Sequence, residues 1–252
     1  MSGKHYRINN WNIFRILLLI IFISIFIICS GILIYWLKSN NNLEQIEKVL
    51  EEKVITYNNN DETTENNEIP KMSINFDALK EINSDAVAWI YIANTDINYP
   101  VLQTNNNEYY LKRDLYKKYS SCGSIYLDCG NSKDFLDENT VIYGHNLKNQ
   151  KMFADLAKLH KGELGNDIEI IIYTPDGMKK YQVFSCYMEE PVARLTRKKF
   201  NSNEKKNFIN DCAKKSNKEF QCNIDENKKI ITLVTCDSTG KKRIFVNAIE
   251  KN

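Results

Sequence analysis

Three side chains at the ends of predicted strands could together carry out nucleophilic catalysis. Cys236 ends a β-type run and is followed at once by polar turn residues, so its thiol should lie at the rim of a sheet. His145 ends another run and is preceded by Gly144, which lets the backbone turn or approach a neighbour closely. Arg243 opens the last run. A thiol, an imidazole and a guanidinium would supply a nucleophile, a proton carrier and an oxyanion partner.

Each of these residues also has a simpler interpretation. Cys236 could be an inert cysteine, His145 a hydrogen-bonded structural histidine, and Arg243 an ordinary surface arginine. The other histidines are weaker candidates, because His5 precedes an apolar segment near the N-terminus and His160 ends a helical run as a solvated side chain would. The co-occurrence of the three roles favours catalysis.

Short β-type runs separated by turn signals must position these side chains. They predict a β-barrel or a sandwich, and the turn at residues 237–242 should make the last two runs a hairpin with Arg243 beside Cys236. The eight predicted strands are Val87–Ala93, Ile97–Leu102, Ser124–Leu127, Thr140–Tyr143, Ile168–Tyr173, Lys180–Tyr187, Lys229–Cys236 and Arg243–Ile249.

Three helices are predicted among the strands, so the expected fold class is mainly β with several added helices. The patterns indicate helices over Phe76–Ile82, about Lys151–Leu159 and about Asn203–Lys215, the last with Asn201 or Ser202 as its N-cap.

An apolar segment near the N-terminus is long enough to cross a membrane. Ile16–Leu37 carries no charge, and about 20 residues span the hydrocarbon core. A cleavable signal peptide is the alternative, but the segment exceeds the usual apolar length of about 7–15 residues and no small-residue cleavage site follows. Cationic residues precede the segment, so the positive-inside rule places the N-terminus in the cytoplasm and the rest outside: Lys4, Arg7 and Arg15.

The same patterns divide the chain into four regions. Leu43, Ile46, Leu50 and Val54 recur at helical spacing and predict a short amphipathic helix, and the polar stretch that ends at Pro70 is typical of a flexible linker. The expected regions are a cytoplasmic tail at 1–12, a transmembrane anchor at 13–37, the helix and linker at 38–72, and a catalytic domain at 73–252.

Composition argues against several classes of function. A net charge of +2 is too small for a dedicated nucleic-acid binder. The spacing of the seven cysteines matches no small disulfide scaffold, and no CxxC pair supports a zinc or thioredoxin-type site.

The motifs around the candidate residues resemble those of the sortase family, and of class B most closely. Thr232–Cys236 is similar to the family's TLxTC motif, with Arg243 in the place of its downstream arginine. The class B histidine motif and three further segments are matched, in order along the chain, by Asn139–Asn146 with Met152–Leu156, Trp89–Gln103, Asn107–Leu111 and Gly123–Asp128.

This resemblance implies an eight-stranded sortase β-barrel with added helices, preceded by one transmembrane helix. It implies that Glu190–Lys228 contains the class B insertion, and that the catalytic residues are Cys236, His145 and Arg243. The substrate-binding residues implied by the resemblance are Asn107, Leu111, Thr235 and Asp237.

The implied activity is cysteine transpeptidation on the extracellular face of the cell membrane of a Gram-positive bacterium. The Cys236 thiolate would cleave a Thr-x bond in the C-terminal sorting signal of a surface protein, and a peptidoglycan-precursor amine would resolve the thioester. Arg243 would stabilise the oxyanion and His145 would move the protons, with no metal or organic cofactor. The alternatives are a hydrolytic cysteine peptidase and a non-catalytic wall-binding domain.

Three features depart from the class B pattern and bear on substrate preference. Val234 stands where class B members often carry Ser, so a hydroxyl contact to substrate would be lost. The spacing from Cys236 to Arg243 is shorter than in many relatives, and Cys129 stands where an aromatic residue is common.

Overall fold

The chain forms two compact units, one over Met1–Gln45 and one over Ile46–Asn252. The structure, a computed structural model, describes residues 10–57, 72–191, 196–236 and 240–251. Most of the predicted linker therefore lies outside the described residues. The first helix, α1, spans Asn10–Lys53 and contains the expected apolar segment.

Helix α1 has the length and apolar composition needed to cross a membrane. The amphipathic helix predicted beyond the anchor is not a separate element, because its positions continue α1 without a break. Ile46 and Leu50, near the end of α1, and Val54, just after it, are buried in the second unit together with Leu79 and Trp89. This burial makes the last part of α1 a component of the second unit's core.

Ten strands lie in the described part of the second unit, and each predicted strand overlaps one of them. Their bounds are β1 Ile55–Tyr57, β2 Met72–Ile74, β3 Ala86–Ile92, β4 Asn98–Leu102, β5 Tyr126–Leu127, β6 Asn139–Tyr143, β7 Glu169–Thr174, β8 Gly177–Glu189, β9 Ile230–Cys236 and β10 Arg243–Glu250.

Eight of these strands close into a barrel in the order β10-β8-β7-β3-β4-β5-β6-β9. The mainly β barrel prediction is therefore confirmed and the sandwich is excluded. Strands β1 and β2 were not predicted, and they pair with each other as a separate antiparallel two-stranded sheet. Within the barrel, β6 pairs in parallel with β9, so the C-terminal ends of these two strands lie at the same end of the barrel.

Three further α-helices lie among the described residues of the second unit. Helix α2 spans Phe76–Ile82, as predicted. Helix α3 spans Ala154–Lys161 and begins later than predicted, because the left-handed Met152 pairs with Asn146 and keeps the preceding backbone out of a helix. Helix α4 spans Ser202–Lys215, and Asn201 is its N-cap in a capping box with Glu204.

Candidate active site

Two parallel strands bring Cys236 and His145 to the same edge of the barrel. Tyr143 of β6 lies opposite Val234 of β9, and His145 and Cys236 each follow two residues beyond that pair. The side-chain amide of Asn146 donates to the carbonyl oxygen of Cys236 at 3.0 Å. The backbone that carries the histidine is therefore fastened directly to the end of the cysteine strand.

Arg243 lies opposite Cys236 in the antiparallel pairing of β9 and β10, so the predicted hairpin is confirmed. Its Nη1 donates to the carbonyl oxygens of Gly240 at 3.0 Å and Lys242 at 3.1 Å. A guanidinium has five N–H donors, and these two contacts occupy Nη1. Among the described residues, the turn before β10 therefore orients the guanidinium.

The ring of His145 is oriented by the backbone of Leu111. Nε2 lies 2.6 Å from the Leu111 carbonyl oxygen, which can only accept a hydrogen bond. This contact fits the tautomer in which Nε2 carries the hydrogen and donates it, which leaves the lone pair on Nδ1. A base oriented by a third group in this way is the arrangement that nucleophilic catalysis uses.

Two glycines allow the close packing around this histidine. Gly123 has a φ of 59°, and a Cβ there would lie 2.7 Å from Cδ2 of His145. A Cβ on Gly144 would lie 2.4 Å from Ile125 and 2.7 Å from Phe153. The close approach expected of Gly144 is thus confirmed, and Gly123 is a second constraint on the ring.

The thiol of Cys236 is more exposed than the thiols of Cys186 in β8 and Cys212 in α4. It is partly exposed and free, whereas Cys186 and Cys212 are buried. Burial raises the pKa of both buried thiols to about 12, so they stay protonated and inert at neutral pH. Cys222 is also partly exposed and Cys129 is exposed, so the position of Cys236 beside Arg243 and Asn146 distinguishes it better than exposure does.

A pair of stacked tyrosines, Tyr126 of β5 and Tyr143 of β6, forms an aromatic wall on two neighbouring strands of the barrel. The rings of Tyr126 and Tyr143 are 5.3 Å apart. Burial, followed by the charges of Asp128 and Cys236, raises the pKa of Tyr126 to about 12, while the charge of Arg243 opposes this rise. Tyr126 therefore lies within electrostatic range of the thiol and the guanidinium.

Asp128 is buried next to this wall, with 3% of its surface exposed, and its carboxylate contacts residues from three other segments of the chain. One carboxylate oxygen accepts from the Asn107 amide and the Tyr143 hydroxyl, each at 3.0 Å. The other accepts from Gly130 N–H at 2.8 Å and pairs with Lys198 at 3.0 Å. Burial favours a raised pKa, but these donors together hold the pKa of Asp128 below its usual value.

The predicted substrate-binding residues have different surroundings. Asn107 is oriented by Asp128 and by the Cys129 N–H, and the Leu111 side chain is 38% exposed. Thr235 is 2% exposed, and its hydroxyl has no hydrogen-bond partner among the described residues. Asp237 lies outside the described residues. Substrate contact by any of the four stays a prediction.

Sequence reasoning did not assign roles to several residues that shape the site. Tyr126, Asp128, Tyr143 and Asn146 all fall inside segments quoted for the resemblance, but their roles depend on partners far along the chain. Val234 packs in an apolar cluster with Tyr143 and Phe245. Within the described ranges, no group of three or more His, Cys, Asp or Glu residues could hold a metal ion.

Comparison with known proteins defines the class of this barrel. The sortase domain family matches residues 90–251. Sortase B of Listeria monocytogenes is 32% identical over 168 residues, which cover 64% of this chain and 66% of that protein. Sortase B of Staphylococcus aureus is 34% identical over 178 residues, which cover 69% of this chain and 73% of that protein.

Solved structures of class B sortases are also similar to this chain. Clostridium perfringens sortase B matches with a TM-score of 0.66 at 30% identity, over 71% of this chain and 100% of that one. Structures of the Staphylococcus aureus protein with a substrate and with Gly3 each match with a TM-score of 0.65 at 32% identity, over 70% of this chain and 84% and 85% of theirs. The chain belongs to the sortase family, and within it to class B.

Proposed function

We propose that this class B sortase is a membrane-anchored cysteine transpeptidase with Cys236, His145 and Arg243 as its catalytic residues. The observation that carries the proposal is the convergence of β6, β9 and β10. Arg243 lies opposite Cys236, and the loop of His145 is bonded to the Cys236 carbonyl. A nucleophile, an oriented proton carrier and a fixed cation therefore meet at one edge of the barrel.

The first half-reaction forms a thioester. With the thiol proton on the imidazole, the Cys236 sulfur attacks the carbonyl carbon of a Thr-x bond in the sorting signal. Nε and Nη2 of Arg243 stabilise the oxyanion, and Nδ1 of His145 gives its proton to the leaving amine as the C–N bond breaks. Threonine's carbonyl remains bound to sulfur.

The second half-reaction transfers the acyl group to an amine. The incoming amine attacks the thioester, Nδ1 of His145 takes its proton, and the Cys236 thiolate leaves. The product is a new amide between the surface protein and a peptidoglycan-precursor amine. Staphylococcus aureus sortase B has been solved with a substrate and with Gly3, which supports a peptide substrate and an amine acceptor here.

The proposed location is the cell membrane, with one crossing by α1 and the catalytic domain on the extracellular face. The apolar composition of α1 and the cationic residues before it support this orientation. The four regions at 1–12, 13–37, 38–72 and 73–252 remain the proposed division of the protein.

The test is a product analysis with the full chain in lipid nanodiscs. The enzyme is incubated with sorting-signal peptides, with and without triglycine, beside Cys236→Ala, and products are identified by mass spectrometry. We expect cleavage after Thr and an amide with triglycine, both absent in the variant. Acid products alone would favour a hydrolytic peptidase, and no cleavage together with a thiol inert to alkylation would favour a wall-binding domain.

A further inference from the structure

The loop that carries the histidine, residues 145–153, holds a strained backbone. Gln150 and Met152 have φ values of 66° and 61°, in the left-handed region that side chains with a Cβ seldom adopt. Such residues persist only where surrounding contacts determine them, and Met152 is 4% exposed. The contacts around Met152 are therefore what maintains the form of this histidine loop.

Met152 lies beside both residues at the start of the loop, His145 and Asn146. It forms an isolated antiparallel bridge with Asn146, and the next residue, Phe153, donates its N–H to the His145 carbonyl oxygen at 2.8 Å. Asn146 in turn donates to the Cys236 carbonyl oxygen. A change at Met152 would therefore move the backbone of His145 and its link to Cys236.

The hydroxyl of Tyr99 is the side-chain contact that holds the Met152 N–H, at 3.3 Å. A hydroxyl has one proton, so Tyr99 accepts from Met152 and directs its own proton to Oε1 of Glu47, at 3.1 Å. Burial, followed by the charge of Glu47, raises the pKa of Tyr99, so this proton stays in place. By accepting this proton, Glu47 orients the Tyr99 hydroxyl so that a lone pair of its oxygen can accept the Met152 N–H.

Glu47 reaches the same loop by a second route. Its Oε2 pairs with Nζ of Lys151 at 2.8 Å. Glu47 lies in the last part of α1, between the buried Ile46 and Leu50, so its backbone is fixed by core packing. One carboxylate therefore holds the histidine loop at two neighbouring residues.

We propose that Glu47 is a positioning residue that maintains the histidine loop through Tyr99 and Lys151. The end of the helix that contains the anchor thereby becomes part of the apparatus that places His145 and Asn146. The effect on turnover rests on the proposed transpeptidation, whereas the effect on the loop does not.

Hydrogen exchange and kinetics on the full chain in nanodiscs test this inference. Glu47→Ala should accelerate exchange of the Met152 and Phe153 amides and lower kcat about tenfold with KM unchanged, because small misplacements of catalytic groups are costly. Glu47→Gln keeps an acceptor for Tyr99 and should restore part of both losses. Glu52→Ala is the matched control, since Glu52 is an exposed carboxylate of α1 and does not line the cavity that Glu47 shares with Tyr99 and Lys151.

Two results would overturn the positioning role. One is an unchanged exchange rate at Met152 and Phe153 in Glu47→Ala. The other is an equal acceleration in the barrel strands, which would assign Glu47 to general stability. If the wild type forms no amide product, the proposed function fails, and amide exchange still decides the role of Glu47.

Discussion

Arg243 combines two properties at the scale of a single residue. Its backbone is fixed opposite Cys236, and its Nη1 is held by two carbonyl oxygens of its own turn. A lysine would keep the charge but would lack the planar fork that makes these bonds while leaving other donors free.

Arg243→Lys should therefore lower kcat for the transpeptidation by about 10²-fold, the effect typical of a lost oxyanion donor. Steady-state kinetics with a cleaved peptide measures kcat for this variant. Lys242→Gln, which removes a neighbouring positive charge, is the control. Retention of wild-type kcat in Arg243→Lys would mean that only a positive charge is needed.

Asp128 offers a residue-scale test through pH. Because its pKa is lowered on folding, its carboxylate stabilises the fold above the unfolded value of 3.8, and this contribution is lost as the pH falls through the lower folded pKa. Asp128→Asn should cost about 1–3 kcal/mol of unfolding free energy at pH 7, as expected for a broken buried network.

The difference between wild type and Asp128→Asn should narrow as the pH is lowered below 3.8. Denaturant unfolding across pH measures it, with the exposed turn residue Asp176→Asn as control. If the difference in unfolding free energy stays constant down to the lowest pH, the charge of Asp128 does not stabilise the fold.

At the scale of elements, the turn before β5 limits the space for the histidine ring. Gly123 has a φ of 59° and approaches His145, while Gly162, after α3, has a φ of 79° and open space around it. An added Cβ would strain the left-handed backbone at both glycines. Only at Gly123 would it also clash with neighbouring atoms.

Gly162→Ala should cost about 1–2 kcal/mol of stability, the penalty for a left-handed residue with a Cβ. Gly123→Ala should cost more, because its Cβ would also lie 2.8 Å from the Leu111 carbonyl oxygen. Only Gly123→Ala should also lower the rate of Cys236 acylation, because its Cβ displaces the His145 ring. Thermal unfolding and single-turnover kinetics separate the two effects. Equal acylation rates in both variants would remove the constraint assigned to Gly123.

The strands near Cys236 and Arg243 could be predicted because their sequence signal is local. The alternation of β9 and β10 and the short turn between them were enough to place Arg243 beside Cys236. The start of α3 could not be predicted, because the left-handed Met152 is stabilised by Tyr99, which is distant in sequence. Strands β1 and β2 were missed because each has only three residues.

At the scale of the whole molecule, sequence periodicity could not choose between a barrel and a sandwich. Closure depends on pairing across the sheet, such as the parallel contact of β6 with β9, whose partners are separated by about 90 residues of chain. Asp128 meets Tyr143 across the neighbouring pair of β5 and β6, whereas its partner Lys198 comes from a segment far along the chain. The order of the motifs along the chain indicated which residues belong to the candidate site. It could not predict the distances between them.

The proposed orientation of the whole chain can be tested with the exposed thiol of Cys129. In protoplasts that carry Cys236→Ala, a membrane-impermeant maleimide should label the protein without permeabilisation, because the catalytic domain is proposed to lie outside. Cys129→Ser in the same background should lose most of the label. Labelling that requires permeabilisation would place the domain in the cytoplasm.

The most direct measurement of the central claim is the mass of the enzyme after it meets a cleaved sorting-signal peptide without an amine. The full chain should gain the mass of the peptide's acyl fragment, on the proteolytic fragment that contains Cys236, and triglycine should release that fragment as an amide. An adduct on another residue, or cleavage that continues unchanged in Cys236→Ala, would contradict the assignment of Cys236 as the nucleophile.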